Sequence, residues 1–306
     1  MHPALSIIVF TTLSGLGYGL AAVLGLGLLD PTTLSTKVAH VLALLLISAG
    51  LVSSTLHLGN PQRAWRALSQ WRSSWLSREG VMAFVTFIPL LISAWAALFN
   101  EQYWMLPGLL GTVCAAMTVY CTAMIYASLK SIEAWNTWLT PLCYLLFAAA
   151  GGALLGGMAR IAAQAPVADI SLAAIAVIAA AWTAKVVWWR RLRSLEPIST
   201  PESATGLGPI GRVRLFERPH TNDNYLTREM GYRVARKHAA KLSRLAVACG
   251  GLAPAAILAL VAVTGQGAPV LFLQLVAVLL FCLGIAIERW LFFAEARHAV
   301  MNYYGG

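Results

Sequence analysis

The chain has 306 residues, 59% of them hydrophobic and 11% charged, with a formal net charge of +10 and a mean hydropathy of +0.71. Soluble domains carry about 25% charged residues, and a soluble fold of this length cannot bury so much apolar surface. Composition therefore excludes a soluble protein and predicts an all-α integral membrane protein.

A helix needs about 20 apolar residues to cross roughly 30 Å of hydrocarbon. Eight segments reach that length: Ala4–Leu29, Thr36–Leu58, Gly80–Phe99, Trp104–Leu129, Leu139–Ala162, Ile170–Trp189, Leu242–Thr264 and Ala268–Phe293. The first lacks a basic start and outruns the roughly 7–15 apolar residues of a cleaved signal, so it is read as a retained span. Pro107 and Pro141 fall at first-turn positions, where a missing N–H costs little. Gly15, Gly17 and Gly19, and the GxxxG pair Gly152 and Gly156, mark close helix packing. Trp71, Trp75, Tyr103, Trp104, Trp135, Trp138, Trp188 and Trp189 fall near span ends, as in an interfacial belt. The five cysteines lie within apolar runs and no CxxC is present, which argues against disulfides and iron–sulfur ligation by this chain.

Two polar segments stand out. Ser54–Glu79 (STLHLGNPQRAWRALSQWRSSWLSRE) places His57 at the end of one apolar run and Glu79 at the start of the next, with four arginines from Arg63 to Arg78. Arg190–Lys241 opens as a Pro-, Ser- and Gly-rich linker and continues from Thr227 to Ala240 as a candidate basic amphipathic helix. Such a helix either lies on anionic lipid headgroups or docks a soluble partner. Arg228, Tyr232 and Arg236, with Arg66 of the first polar segment, are the candidate docking residues. The chain thus divides into spans one to six (1–189), a basic loop (190–241), and spans seven and eight with a tail (242–306).

Eight spans put both termini on one side, together with 20 of the 22 lysines and arginines. The positive-inside bias makes that side cytoplasmic. The same bias accounts for the net charge without nucleic acid. The span centres hold essentially no ionisable residue, which disfavours a transporter or proton pump and favours a shallow site near one surface. His57, Glu79, Glu288 and Arg289 all lie at span ends on the cytoplasmic side. Quinone chemistry suits this inventory, because a histidine near neutral pKa and a carboxylate close to water can exchange the protons of a quinol. His40 and His57 lie 17 residues apart near opposite faces, so no matched haem pair is expected.

The run LHLGNPQRAWRAL followed by LSRE resembles the membrane-anchor subunits of the dimethyl sulfoxide reductase type. Supporting matches are Tyr126 with Trp135, Thr140-Pro141, Gly151–Leu155, and Arg289 with Phe292-Phe293. The resemblance implies an anchor for a four-cluster iron–sulfur subunit and a molybdopterin catalytic subunit. Such an anchor holds no metal, cluster or haem of its own and exchanges electrons with menaquinone or ubiquinone. His57 matches the family's quinol-site histidine and Glu79 its functional glutamate, with Gly59 and Arg63 at further motif positions. The long Arg190–Lys241 insertion is similar to that of anchors serving cytoplasmic sulfite-oxidising enzymes, which implies electron flow from sulfite to quinone. The reverse flow, in an S- or N-oxide reductase, would use the same site. Orientation is open to a direct test: a reporter fused after Gly306 should be active only in its cytoplasmic form, and activity confined to the outside would reverse the assignment.

Overall fold

The computed structural model describes residues 3–55, 60–196, 199–214, 216–217 and 238–304. Eight helices in it are long and apolar enough to cross a membrane: α1 (Leu5–Gly25), α2 (Leu34–Thr55), α3 (Trp75–Asn100), α4 (Met105–Ala127), α5 (Leu139–Ala162), α6 (Ala168–Ser194), α7 (Ala239–Thr264) and α8 (Ala268–Ala294). The protein is a multi-pass helical membrane protein. No strand occurs among the described residues. A 3-10 helix, Pro61–Gln70, joins α2 to α3, and one helical turn at Pro201–Thr205 follows α6. The rest of the candidate amphipathic helix lies outside the described residues, its last residues, 238–240, entering α7.

Several helices run past their predicted ends, and two of these shifts matter for the site. α3 begins at Trp75 rather than Gly80. Arg78 secures this start: its guanidinium donates to the carbonyls of Trp71 (3.0 Å) and Arg72 (2.7 Å) and lies over the Trp75 ring at 4.3 Å. Glu79 is therefore buried in the second turn of a helix, at 6% exposure, rather than at a water-facing entrance as expected. α6 continues to Ser194, which leaves Lys185 well inside the bundle.

α1 is the central helix. Fourteen of its 21 residues are buried, and it packs on α2, α4, α5 and α8. In lipid the driving force for such packing is close van der Waals contact, which small residues permit. A Cβ on Gly19 would meet the Ala148 carbonyl oxygen at 1.8 Å, and one on Gly152 would meet the Gly19 carbonyl carbon at 2.2 Å. Gly17 faces Ile47 on α2 at 2.8 Å. Gly15, in contrast, has nothing within 4 Å, so it is no part of the packing stripe. α7 contains a π-helical turn, Ala248–Leu252, that holds Gly250 against Gly284 of α8, where an added Cβ on Gly284 would lie 2.3 Å from the Gly250 Cα.

The tryptophans depart from the interfacial belt. Trp71, Trp104 and Trp138 are exposed, but Trp135, Trp188 and Trp189 are buried. Trp135 Nε1 donates to the Phe292 carbonyl at 2.8 Å, which removes its need for interfacial water. Its ring stacks on Phe292 at 5.2 Å, and Tyr126 packs edge-on against both.

The glycine contacts give a paired expectation. Gly152→Ala should lower stability in detergent by about 1–3 kcal/mol, because the added methyl meets backbone that cannot yield. Gly15→Ala should be neutral or slightly stabilising, within about 1 kcal/mol. Thermal unfolding of the two variants measures the difference.

Candidate functional site

A cavity of about 600 Å³ opens at the end of the bundle where α1 and α3 begin and α2 and α4 end. Ile7 and Phe10 of α1 and Leu51, Ser54 and Thr55 of α2 form one side of it. Ala64, Trp65 and Leu68 of the 3-10 helix cover it, and α3 supplies Leu76, Glu79, Gly80, Ala83, Phe84 and Phe87. Ile125 and Tyr126 of α4 close the inner wall. The lining is apolar apart from Glu79 and a few hydroxyl and indole groups.

Glu79 reaches this wall because α3 starts early and carries it on the face that also bears Ala83 and Thr86. The Thr122 hydroxyl of α4 donates to Glu79 Oε1 at 2.8 Å. One turn deeper, Thr86 and Thr118 share a hydrogen bond of 2.8 Å. A buried carboxyl with one side-chain donor and an adjacent ligand-sized cavity is equipped to give or take a proton at the cavity wall.

The other expected site residues divide into two groups. Arg63 and Arg66 are exposed on the 3-10 helix, with the Arg66 guanidinium over the Trp65 ring at 5.5 Å. Neither lines the cavity, although their neighbours Ala64 and Trp65 do. His57, Gly59, Arg228, Tyr232 and Arg236 lie outside the described residues. His57 follows two positions after Thr55, which lines the cavity rim.

Sequence reasoning missed one feature altogether. Lys185, counted among the cytoplasmic charges, is 1% exposed, and its Nζ lies 2.6 Å from Glu288 Oε1, a residue with no exposure. Arg289 Nε lies 3.5 Å from the other oxygen, Oε2. Lys185 Nζ stands 3.7 Å from the centre of the Trp188 ring, and the Arg289 guanidinium lies 3.6 Å over Tyr144. Aromatic faces thus replace the water both cations lose. The signal was present in the sequence: a lysine inside an apolar run facing Glu288-Arg289 inside another. Just past α8, burial pushes the Glu295 carboxyl up from its ordinary range, against the pull of Lys185 and a hydrogen bond from Trp189 Nε1. That bond measures 3.0 Å.

His40 is buried on α2, toward the opposite end from Glu79. All five cysteines are free thiols. Among the described residues no three His, Cys, Asp or Glu side chains gather as a metal site.

Fold and site together define a multi-pass membrane protein of eight candidate spans, with an apolar cavity at one end of the bundle and a buried carboxyl in its wall. The chain belongs to the family of DMSO reductase anchor subunits (DmsC), whose pattern matches residues 1–294. It is a membrane anchor of a molybdoenzyme complex. It is also 31% identical, over 99% of both chains, to a protein of Allochromatium vinosum that is named as a subunit of sulfite dehydrogenase. No solved structure matches it.

The buried ion cluster gives a stability expectation. Lys185→Met leaves Glu288 with only the longer Arg289 contact and should cost about 3–5 kcal/mol. Lys37→Ala breaks a 2.6 Å pair with the exposed Glu101 and should cost less than about 1 kcal/mol. Denaturant titration of the two purified variants compares them directly.

Proposed function

We propose that this chain carries electrons between a membrane quinone and an iron–sulfur subunit of a molybdopterin enzyme, in the direction of sulfite oxidation. The observation that supports this most is the apolar cavity with Glu79 at its inner wall. Its volume, about 600 Å³, lies within the roughly 300–1,000 Å³ usual for small-molecule sites. A flat ring with an isoprenoid tail fits a lining of Phe10, Leu68, Phe84 and Phe87, and the bundle end leaves the ring near the polar boundary.

His57, Gly59, Arg63 and Glu79 are the proposed quinone-binding residues. A bound quinone, menaquinone or ubiquinone, supplies two-electron, two-proton chemistry. Glu79 holds a proton at the wall, oriented by Thr122. His57, two residues beyond the lining residue Thr55, offers a second exchange point near neutral pH. The apolar wall excludes water from the ring and leaves these two groups as its proton contacts.

Electrons need a partner, because this chain has no redox centre among the residues proposed. The basic loop of residues 190–241, with Arg228, Tyr232 and Arg236, and Arg66 beside the cavity, forms the proposed docking face for a four-cluster iron–sulfur subunit. The catalytic molybdopterin subunit joins through that partner. Both termini and the loop then face the cytoplasm of a bacterium, and the host is its inner membrane. The named relative supports the sulfite substrate, while the family as a whole also serves reductases that would run electrons the other way.

His57→Ala should lower quinone-linked turnover of the purified complex by about 100-fold or more, the scale of a lost acid–base group. Artificial dyes should still accept electrons from the soluble subunits at the normal rate. Glu79→Gln should slow quinone-linked turnover while quinone binding persists. Unchanged quinone-linked rates in both variants would remove the cavity from the reaction.

A further inference from the structure

The proposed site leaves the buried Lys185–Glu288–Arg289 cluster without a role. That cluster lies at the same depth as Glu79. Glu79 stands in the second turn of α3, Thr122 and Tyr126 near the end of α4, Tyr144 in the second turn of α5, and Glu288 and Arg289 near the end of α8. Together they form one polar layer across an otherwise apolar bundle.

A second, small cavity of about 20 Å³ sits within that layer, lined by Thr12, Thr122, Tyr144 and Arg289 among others. An ordered water needs roughly 10–15 Å³ and two to four polar partners. Three of the lining side chains carry a buried polar atom with no hydrogen-bond partner among the described residues: Thr12 Oγ1, the Tyr144 hydroxyl and Arg289 Nη1. Arg289 lies over the face of Tyr144, its guanidinium carbon 3.6 Å from the ring centre. Unpaired donors and acceptors at such a site are costly in hydrocarbon. Thr122 lines the same cavity and holds Glu79.

We propose that this small cavity holds an ordered water that joins Glu79, through Thr122, to Tyr144 and the Lys185–Glu288–Arg289 cluster, as an internal proton path. The path rests on the reading of the large cavity as a quinone site. When a proton leaves Glu79 for the cluster, the Thr122 hydroxyl accepts it and releases its own to the water. The water passes one on toward the Glu288 carboxylate, so hydroxyl and water are unchanged after each passage. Supply toward the ring runs the same chain in reverse. Arg289 stays charged and positions the water. Beyond the cluster, Trp189 lies 5.2 Å from Lys185 and donates to Glu295. Glu295 lines a cavity of about 410 Å³ with Arg193, Arg297 and His298 at the polar end of the bundle; the Trp189 indole only donates, so it orients Glu295 and carries no proton.

The test uses the intact complex with Tyr144→Phe, a residue that does not line the large cavity, and Thr12→Val as a second variant should the first fail to assemble. Three readouts are taken: binding of a fluorescent quinone-site inhibitor, proton exchange with an indicator dye during a single turnover, and an experimental map that resolves ordered waters. The expected result is unchanged inhibitor binding, proton exchange slowed about fivefold or more, as for one lost hydrogen bond, and a water in the wild-type map touching Tyr144 and Arg289. Wild-type proton exchange in the variant, or a map with side chains filling the cavity, overturns the path. Weakened inhibitor binding in the variant also overturns it, since the effect would then be on the quinone site itself. Failure of the wild-type complex to bind the inhibitor would instead overturn the quinone reading on which the path rests.

Discussion

Glu288 has no exposed surface and lies in a bundle that offers it no bulk water. It persists there because Lys185, from a different helix, stands 2.6 Å away and Arg289 approaches its other oxygen. An unpaired buried charge of this kind would cost several kcal/mol. α6 and α8 therefore cannot slide past one another by a residue without isolating it. The cations in turn fix what surrounds them. Trp188 and Tyr144 present ring faces to them, and Phe292, Trp135 and Tyr126 pack in a continuous aromatic cluster behind. One ion cluster thereby sets the relative depth of α4, α5, α6 and α8.

α2 and α5 pack on α1, whose glycines let both approach to backbone contact, while α3 packs chiefly on α4, and α7 on α6 and α8. This close packing is one-sided. Where α1 meets α5 the stripe of Gly19 and Gly152 leaves no space, whereas toward α3 its first turns present Ile7 and Phe10 to the cavity. The 3-10 helix carries its apolar residues Ala64, Trp65 and Leu68 inward and its arginines outward. The segment between α2 and α3 thus covers the cavity instead of joining the bundle, which is why a ligand-sized space survives in a structure otherwise packed at glycine distances.

Much of this is legible in the sequence. All eight spans follow from apolar length, and Leu139–Ala162 matches α5 at both ends. The residues that carry the resemblance prove to be neighbours: Tyr126, Trp135 and Phe292 form one aromatic cluster, and Thr140 donates to the Trp135 carbonyl at 2.8 Å. What the sequence does not supply is depth. Trp75 looks like an interfacial residue, and the expected start of α3 at Gly80 leaves Glu79 at a surface it does not occupy. Charge counting assigns Lys185 to the polar side because it treats a cation near a span end as a loop residue. A one-dimensional reading has no place for a counter-ion supplied from a distant helix. Trp135 is misplaced for the same reason: its N–H, satisfied by the Phe292 carbonyl of α8, has no need of the interface.

These corrections change how the shallow site should be understood. A carboxylate at a water-facing helix entrance would exchange protons with solvent unaided. Glu79 is instead buried at 6% exposure, on the wall of the apolar cavity. The polar groups within reach are those of a single layer, each near the same end of the bundle. One turn deeper, Thr86 and Thr118 already bond each other, and their hydroxyls also reach helix carbonyls. In the layer at Glu79, by contrast, a hydroxyl, a phenol and a guanidinium N–H remain uncommitted around one small cavity. In an apolar bundle, uncommitted polar atoms are maintained against a standing cost.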